Sequence, residues 1–269
     1  MYYSQHGEDC VLDKIFDAKT NGFFVEVGCV DGRRFSNTLA LEEKGWTGLN
    51  VEAHTDYIPL LRDNRPNSKT IHAAVCDIDG GLIKFYADRR GSLSSLDQSR
   101  EVELKRDYSE YFSGFTEQHV PRRTLTSIFD QEKVSEVDVL SIDIEGGEID
   151  ALKGLDLNKY KPVVLVIEFG SLTNLRELKK MLKPFGYHLA LIVNNNVFFS
   201  TNIHLFSKVA GTKITDVTLL HTGNPIDNDS DVVKQVSIDT RLVPHYRNLS
   251  KFIEKKLRHT IKNLIQKYD

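Results

Sequence analysis

Short apolar runs recur along the chain, separated by stretches in which apolar residues return at helical spacing. Phe23 to Val27, Gly48 to Glu52, Val137 to Ile142 and Val163 to Ile167 have the β-branched, two-sided apolar character of strands buried in a parallel sheet. Between them, Val11, Leu12, Ile15 and Phe16 form one helical stripe behind Ser4, a candidate N-cap followed by Glu8 and Asp9 near the positive helix end. Leu175, Leu178, Met181 and Leu182 form another over 174–183, ended by Pro184 and Gly186. Strand and helix alternate, which predicts an α/β fold. Two last apolar runs, 187–193 and 197–205, flank Asn194-Asn195-Asn196 and predict a closing antiparallel hairpin.

The first buried run ends in Gly28-Cys29-Val30-Asp31-Gly32, where two glycines let the chain turn sharply with bare backbone facing a ligand. A helix is predicted over 36–45, with Ser36 as N-cap and Gly45 as its stop. Strand, glycine turn and helix open a nucleotide-binding unit, and Glu52 ends the next strand where such folds place a carboxylate for a ribose diol. The full G-x-G-x-x-G is absent and an acid, Glu26, lies inside the first strand. That acid suits the cationic amino group of S-adenosylmethionine and would repel the pyrophosphate of NAD.

Further along, 53–62 reads as a short helix, 69–75 as a third strand, and Asp79-Gly80 as the turn of a hairpin joining that strand to 81–86. Residues 97–117 form a charged insertion with Tyr108, Tyr111, Phe112 and Phe115. It is either a mobile lid, together with Ser94 and Ser95, or a solvated helix with one packed aromatic face. A helix is expected through Phe129, and another over 149–153 stopped by Gly154. The polar stretch 208–246 shows no clear period. After it, Leu249, Phe252, Ile253, Leu257, Ile261, Leu264 and Ile265 lie opposite a row of lysines and Arg258. This basic amphipathic helix over 249–267 would dock on its own domain, on a partner or second copy, or on a membrane surface.

Ser4-Gln5-x-Gly7-Glu8-Asp9, Phe23 to Gly32, Ser36-Asn37-Thr38, Gly45-Trp46-x-Gly48 and Leu140-Ser141-Ile142-Asp143-Ile144-Glu145-Gly146, in that order, resemble the FkbM family of S-adenosylmethionine-dependent methyltransferases. The resemblance covers roughly 1–205. It implies a class I methyltransferase sheet, mostly parallel with a closing antiparallel hairpin, in a domain spanning 1–207 with an extension over 208–269. It also implies O-methylation of a small-molecule, sugar or glycan hydroxyl. The cofactor positions it implies are Gln5, Glu26, Gly28, Asp31, Gly32, Ser36, Glu52, Ala74, Asp77 and Asp143. Asp77 can equally be a turn former.

Glu26, Glu52, Asp143 and Glu168 all fall at or near the carboxyl ends of predicted parallel strands, where such sheets bind ligands. Like charges gathered at one edge lose stability and point to ligand chemistry. Methyl transfer needs an aligned acceptor oxygen that gives up its proton. Asp143 is the first candidate for that base and Glu145 the second. A divalent metal held by Asp143 with Glu168, or with Glu145, is the alternative way to lower the acceptor's pKa. A catalytically silent cofactor-binding module and a NAD-dependent oxidoreductase are the competing functions.

Composition narrows the partners. A net charge of −3 over 269 residues offers no global field for a polyanion, so nucleic acid is not expected. No run of eighteen apolar residues exists, and the first residues have neither a basic nor an apolar leader character, which leads to the expectation of a soluble, cytoplasmic protein. Cys10, Cys29 and Cys76 are far apart, with no C-x-x-C pair, and are expected as reduced buried thiols.

Overall fold

The computed structural model describes residues 1–17, 19–209, 212–221 and 231–239. Its elements in chain order are α1 (Glu8–Phe16), β1 (Phe23–Val27), α2 (Leu39–Glu42), β2 (Thr47–Glu52), α3 (Ile58–Asn64), β3 (Lys69–His72), β4 (Ala74–Val75), β5 (Leu82–Asp88), α4 (Arg100–Asp107) and β6 (Phe115–Arg123). They continue with α5 (Leu125–Glu132), β7 (Val139–Ile142), α6 (Glu148–Lys153), β8 (Val164–Glu168), α7 (Leu172–Leu182), β9 (His188–Val193), β10 (Asn196–Ser200), β11 (Lys213–His221) and β12 (Val232–Asp239).

Alternate residues of the central strands face opposite sides, and both sides are apolar. Val25, Val27, Leu140, Ile142, Leu165 and Ile167 pack under α5, α6 and α7, while Phe24, Val139, Val164 and Val166 pack under α1 and Trp46. Burial on both faces explains why these strands read as continuous apolar runs. They pair in the order β3-β2-β1-β7-β8-β10-β9, with β10 antiparallel to both neighbours and the central pairings parallel. This is the class I methyltransferase sheet. The chain winds outward from β1 to β3 and then returns to place β7 on the other side of β1, so the carboxyl ends of β1 and β7 border the switch-point crevice where such sheets take ligands.

The expected hairpin between the third strand and 81–86 does not form. The run 69–75 breaks at Ala73 into β3, in the main sheet, and β4, which pairs in parallel with β6. The antiparallel partner of β5 is also β6, from Leu82↔Pro121 to Asp88↔Phe115. Asp79-Gly80 does turn the chain, but a nine-residue strand arriving from beyond the insertion offers β5 a longer ladder. Residues 115–117, read as insertion, therefore belong to sheet, and the helical part shrinks to α4.

Other differences are local. The helix predicted over 36–45 spans only Leu39–Glu42, because the Ser36 hydroxyl accepts from Leu39 N at 3.0 Å one turn upstream of the helix itself. Ser4 acts similarly ahead of α1, accepting from Gly7 N at 3.0 Å while donating to Asp9. The stretch 208–246, without visible period, contains the antiparallel ribbon β11–β12, whose Val217, Leu219 and Ile238 enter the α1 side of the core. Tyr2 bridges to Leu219. The predicted basic helix 249–267 lies outside the described residues. Among the described residues no helix is long and apolar enough to cross a membrane.

Candidate functional site

Two turns meet at the switch point. After β1, the chain passes through Gly28 (φ 86°), Val30 (φ 49°), Gly32 (φ 80°) and Phe35 (φ 60°). A β-branched valine in the left-handed region is costly, and such strain persists only where the surroundings fix it. A Cβ on Gly28 would lie 1.8 Å from the Asp143 carbonyl oxygen, so bare backbone is required for this turn to sit against the end of β7.

A buried ion network fixes the glycine turn. Glu26 (3% exposed) accepts from Ser36 Oγ, Asn37 N and Thr38 Oγ1 and pairs with Arg65 Nη1 at 3.1 Å. Arg65, fully buried, also pairs with Glu42 at 2.6 Å and donates to the Gly32 carbonyl at 3.0 Å. The cation that Glu26 meets is thus internal. Asp31 Oδ1 accepts from Arg33 N and Arg34 N and shapes the same turn. Glu52, at the end of β2, accepts from Val30 N at 2.6 Å and His54 N at 2.7 Å. Burial pushes its pKa up.

The opposite turn is acidic. Asp143 directly follows β7, Glu145 comes two residues later with φ 57°, and Glu168 ends β8. These three offer carboxylate oxygens within 4.8 Å of one another, and each keeps part of its surface open to solvent. Burial, then the charges of Glu168, Glu145 and Glu148, raise the Asp143 pKa well above the usual carboxylate range. Burial and the Glu145 and Glu148 charges push Glu168 to about 8, against the pull of the Asn195 amide. Glu148 spends one carboxylate oxygen on Ile144 N and Gly146 N, holding the turn's shape.

The cation at this cluster comes from the insertion. Arg100, the first residue of α4, donates to Glu145 Oε2 at 2.8 Å and to the Glu145 carbonyl, and Ser95 Oγ reaches the same carbonyl at 3.1 Å. The guanidinium opposes the burial that raises the Glu145 pKa. The insertion is thereby fastened over the acidic turn.

Of the residues singled out in the sequence, Gly28, Asp31, Gly32 and Glu52 surround one turn, and Asp143, Glu145 and Glu168 converge on the other. Glu26 and Ser36 lie behind the glycine turn and hold it. Ala74 is packed with Phe85, Ala87 and Val120. Gln5 and Asp77 are exposed, and it is Asp79 that organises the turn near Asp77, accepting from Thr124 N at 3.0 Å. Arg65, just past the end of α3, and Arg100, at the start of α4, went unnoticed in the sequence because a lone arginine at a helix end gives no periodic signal, and only tertiary contact assigns it a carboxylate.

Residues 26–189 match the model of the methyltransferase FkbM domain. No curated protein matches the chain in sequence. Among solved structures, the chain is similar to a precorrin-6y C5,15-methyltransferase from Geobacter metallireducens, with 13% identity, 72% of this chain and 86% of that chain covered, and a TM-score of 0.40. A TehB-like SAM-dependent methyltransferase from Corynebacterium glutamicum has 12% identity, coverage of 74% and 89%, and a TM-score of 0.40. A putative RNA methyltransferase from Pyrococcus horikoshii has 10% identity, coverage of 87% and 80%, and a TM-score of 0.35.

Proposed function

The chain belongs to the FkbM methyltransferase family, and from that premise we propose that it transfers a methyl group from S-adenosylmethionine to a hydroxyl of a small molecule or carbohydrate. The observation that carries the O-methyl reading is the convergence of Asp143, Glu145 and Glu168 beside the glycine turn. Carboxylates gathered at a strand-end crevice suit proton removal from an acceptor.

The residues fit a cationic nucleoside with a ribose diol. Bare backbone at Gly28 and the Glu52 carboxylate lie at the ends of β1 and β2, and the buried Arg34 Nε and His54 Nδ1 have no hydrogen-bond partner. Glu52 would take the diol. When bound, S-adenosylmethionine supplies a methyl carbon made electrophilic by its sulfonium.

The chain's own groups do the rest. Asp143 and Glu168 form a pair that takes the acceptor's proton, and their raised proton affinity makes them stronger bases than ordinary carboxylates. Arg100 holds Glu145 and draws the insertion over the crevice, which limits water. Because the pair must be ionised to act, turnover should rise as pH passes through about 8.

The test is release of S-adenosylhomocysteine with a panel of hydroxyl acceptors. Cofactor binding without turnover on any acceptor would leave a silent binding module, and thermal protection by NAD instead would establish the oxidoreductase alternative. A second reading of the acidic turn is favoured by its ligand-like spacing: a divalent cation held by Asp143, Glu145 and Glu168 would polarise the acceptor oxygen. Loss of turnover in EDTA with recovery in Mg²⁺ supports the metal, and indifference to EDTA leaves the proton-accepting pair.

A further inference from the structure

The loop that follows β5 ties the two turns together. Tyr57 Oη donates to the Arg89 carbonyl at 3.1 Å, Arg34 Nη2 donates to the Arg90 carbonyl, and a Cβ on Gly91 would lie 2.7 Å from the Tyr57 ring and 2.8 Å from Val30 Cγ1. At its far end Ser95 bonds the Glu145 carbonyl. Residues 88–95 therefore form a strap running from the glycine turn to the acidic turn.

Under the strap lie two opposite charges that make no ion pair among the described residues. Asp88 is fully buried, and its carboxylate faces the backbone N–H groups of Leu93 and Arg90 without a hydrogen bond of full geometry at either oxygen. Its backbone is fixed on both sides, by Ser94 Oγ accepting from its N–H at 2.9 Å and by His54 Nε2 at 2.9 Å from its carbonyl. Arg34, 7% exposed, uses Nη2 on the strap and leaves Nε unpartnered. Among the described residues the two make no ion pair with each other; burial pushes the Asp88 pKa up, against the backbone N–H groups of Leu93 and Arg90 and then the Arg34 and Arg90 charges, and the Asp88 charge is felt at Glu145. Burying a carboxylate without a paired cation is expensive. A buried anion and a buried cation, held apart beside a glycine turn, are complementary to a zwitterion.

Resting on the methyltransferase reading above, we propose that Asp88 and Arg34 receive the amino-acid end of the cofactor, the α-ammonium on Asp88 and the α-carboxylate on Arg34. The strap then serves as the roof of that subsite. The proposal assigns to Asp88 the role that the sequence suggested for Glu26, whose charge Arg65 consumes.

Calorimetry with two probes tests this: S-adenosylhomocysteine, and 5′-methylthioadenosine, which keeps the nucleoside and sulfur but lacks the amino acid. In Asp88→Asn, affinity for S-adenosylhomocysteine should fall about 10- to 100-fold, as for a lost charge-assisted hydrogen bond, while that for 5′-methylthioadenosine stays within about twofold. Arg34→Gln should show the same selective loss. The melting temperature of ligand-free Asp88→Asn should hold or rise, because an unpaired buried charge is removed. Equal loss for both probes, a lowered melting temperature with no selective loss, or unchanged affinity for both would overturn the proposal. So would an effect confined to acceptor KM, which would move Asp88 to the acceptor side. A wild type that binds neither probe would bring down the methyltransferase reading and this proposal together, whereas a binding wild type with an indifferent Asp88→Asn sinks only the proposal.

Discussion

The turns after β1 and β7 are neighbours on the same sheet edge, and both carry buried acids, yet they are electrostatic opposites. Behind the glycine turn, Glu26 and Glu42 share one fully buried guanidinium, and every hydroxyl nearby is enlisted. At the acidic turn three carboxylates crowd together with one guanidinium approaching from a surface insertion, and two of them hold protons far more tightly than usual. A paired network locks backbone geometry, whereas unpaired like charges store a bias that a proton, a cation or an acceptor can relieve. The first turn is locked in shape, and the second is the one to which the proposed chemistry is assigned.

The largest effect expected from this contrast is catalytic. Asp143→Asn keeps the side-chain shape and removes the charge, so turnover should fall about 10²- to 10⁴-fold with cofactor affinity little changed. Wild-type turnover with a verified acceptor would break the comparison at its chemical end. At the structural end, Arg65→Met leaves two buried carboxylates without their cation and should cost about 3–5 kcal/mol in urea unfolding. A cost below about 1 kcal/mol would mean that water, rather than Arg65, neutralises that network.

Glu52 stands between the two kinds of acid, since its carboxylate accepts two backbone N–H groups and is also the one proposed to take the ribose diol. Glu52→Ala should cost about 1.5–3 kcal/mol of cofactor binding. Unchanged calorimetric affinity would reassign Glu52 wholly to the turn. The smallest effect is on stability against pH. The folded pKa of Glu168 is near 8, above that of an unfolded glutamate, so the folded state binds the proton more tightly. That contribution is complete below about pH 4.5 and is lost as pH rises through about 8. Allowing for partial solvent exposure, it is on the order of 1 kcal/mol, about 2–4 °C in Tm. Glu168→Gln should flatten the Tm profile across that window, and an unaltered slope would locate the strain elsewhere.

The parallel strands were legible because burial on both faces leaves no polar period to mistake: β1 fills the run from Phe23, and β7 and β8 start two and one residues inside the runs that begin at Val137 and Val163. The pairing of β5 was not legible. A hairpin between neighbours in sequence is the local choice, but β6 lies beyond the insertion and its ladder is longer. The ribbon β11–β12 was hidden for a related reason, since much of its second strand is exposed and only Ile238 and a few partners across the ribbon carry its burial.

At the site, the sequence alone determined which backbone positions must turn and which acids terminate strands, because glycine spacing and strand ends are local properties. It placed Asp143 and Glu168 at strand ends and Glu145 in the turn after Asp143. Whether an acid is spent or left over is decided by which cation folds back upon it, and no local rule connects Glu26 to Arg65 or Glu145 to Arg100. Only the tertiary structure could show that Glu26 is consumed in holding the turn while Asp88, unremarkable in sequence, stays buried without an ion pair.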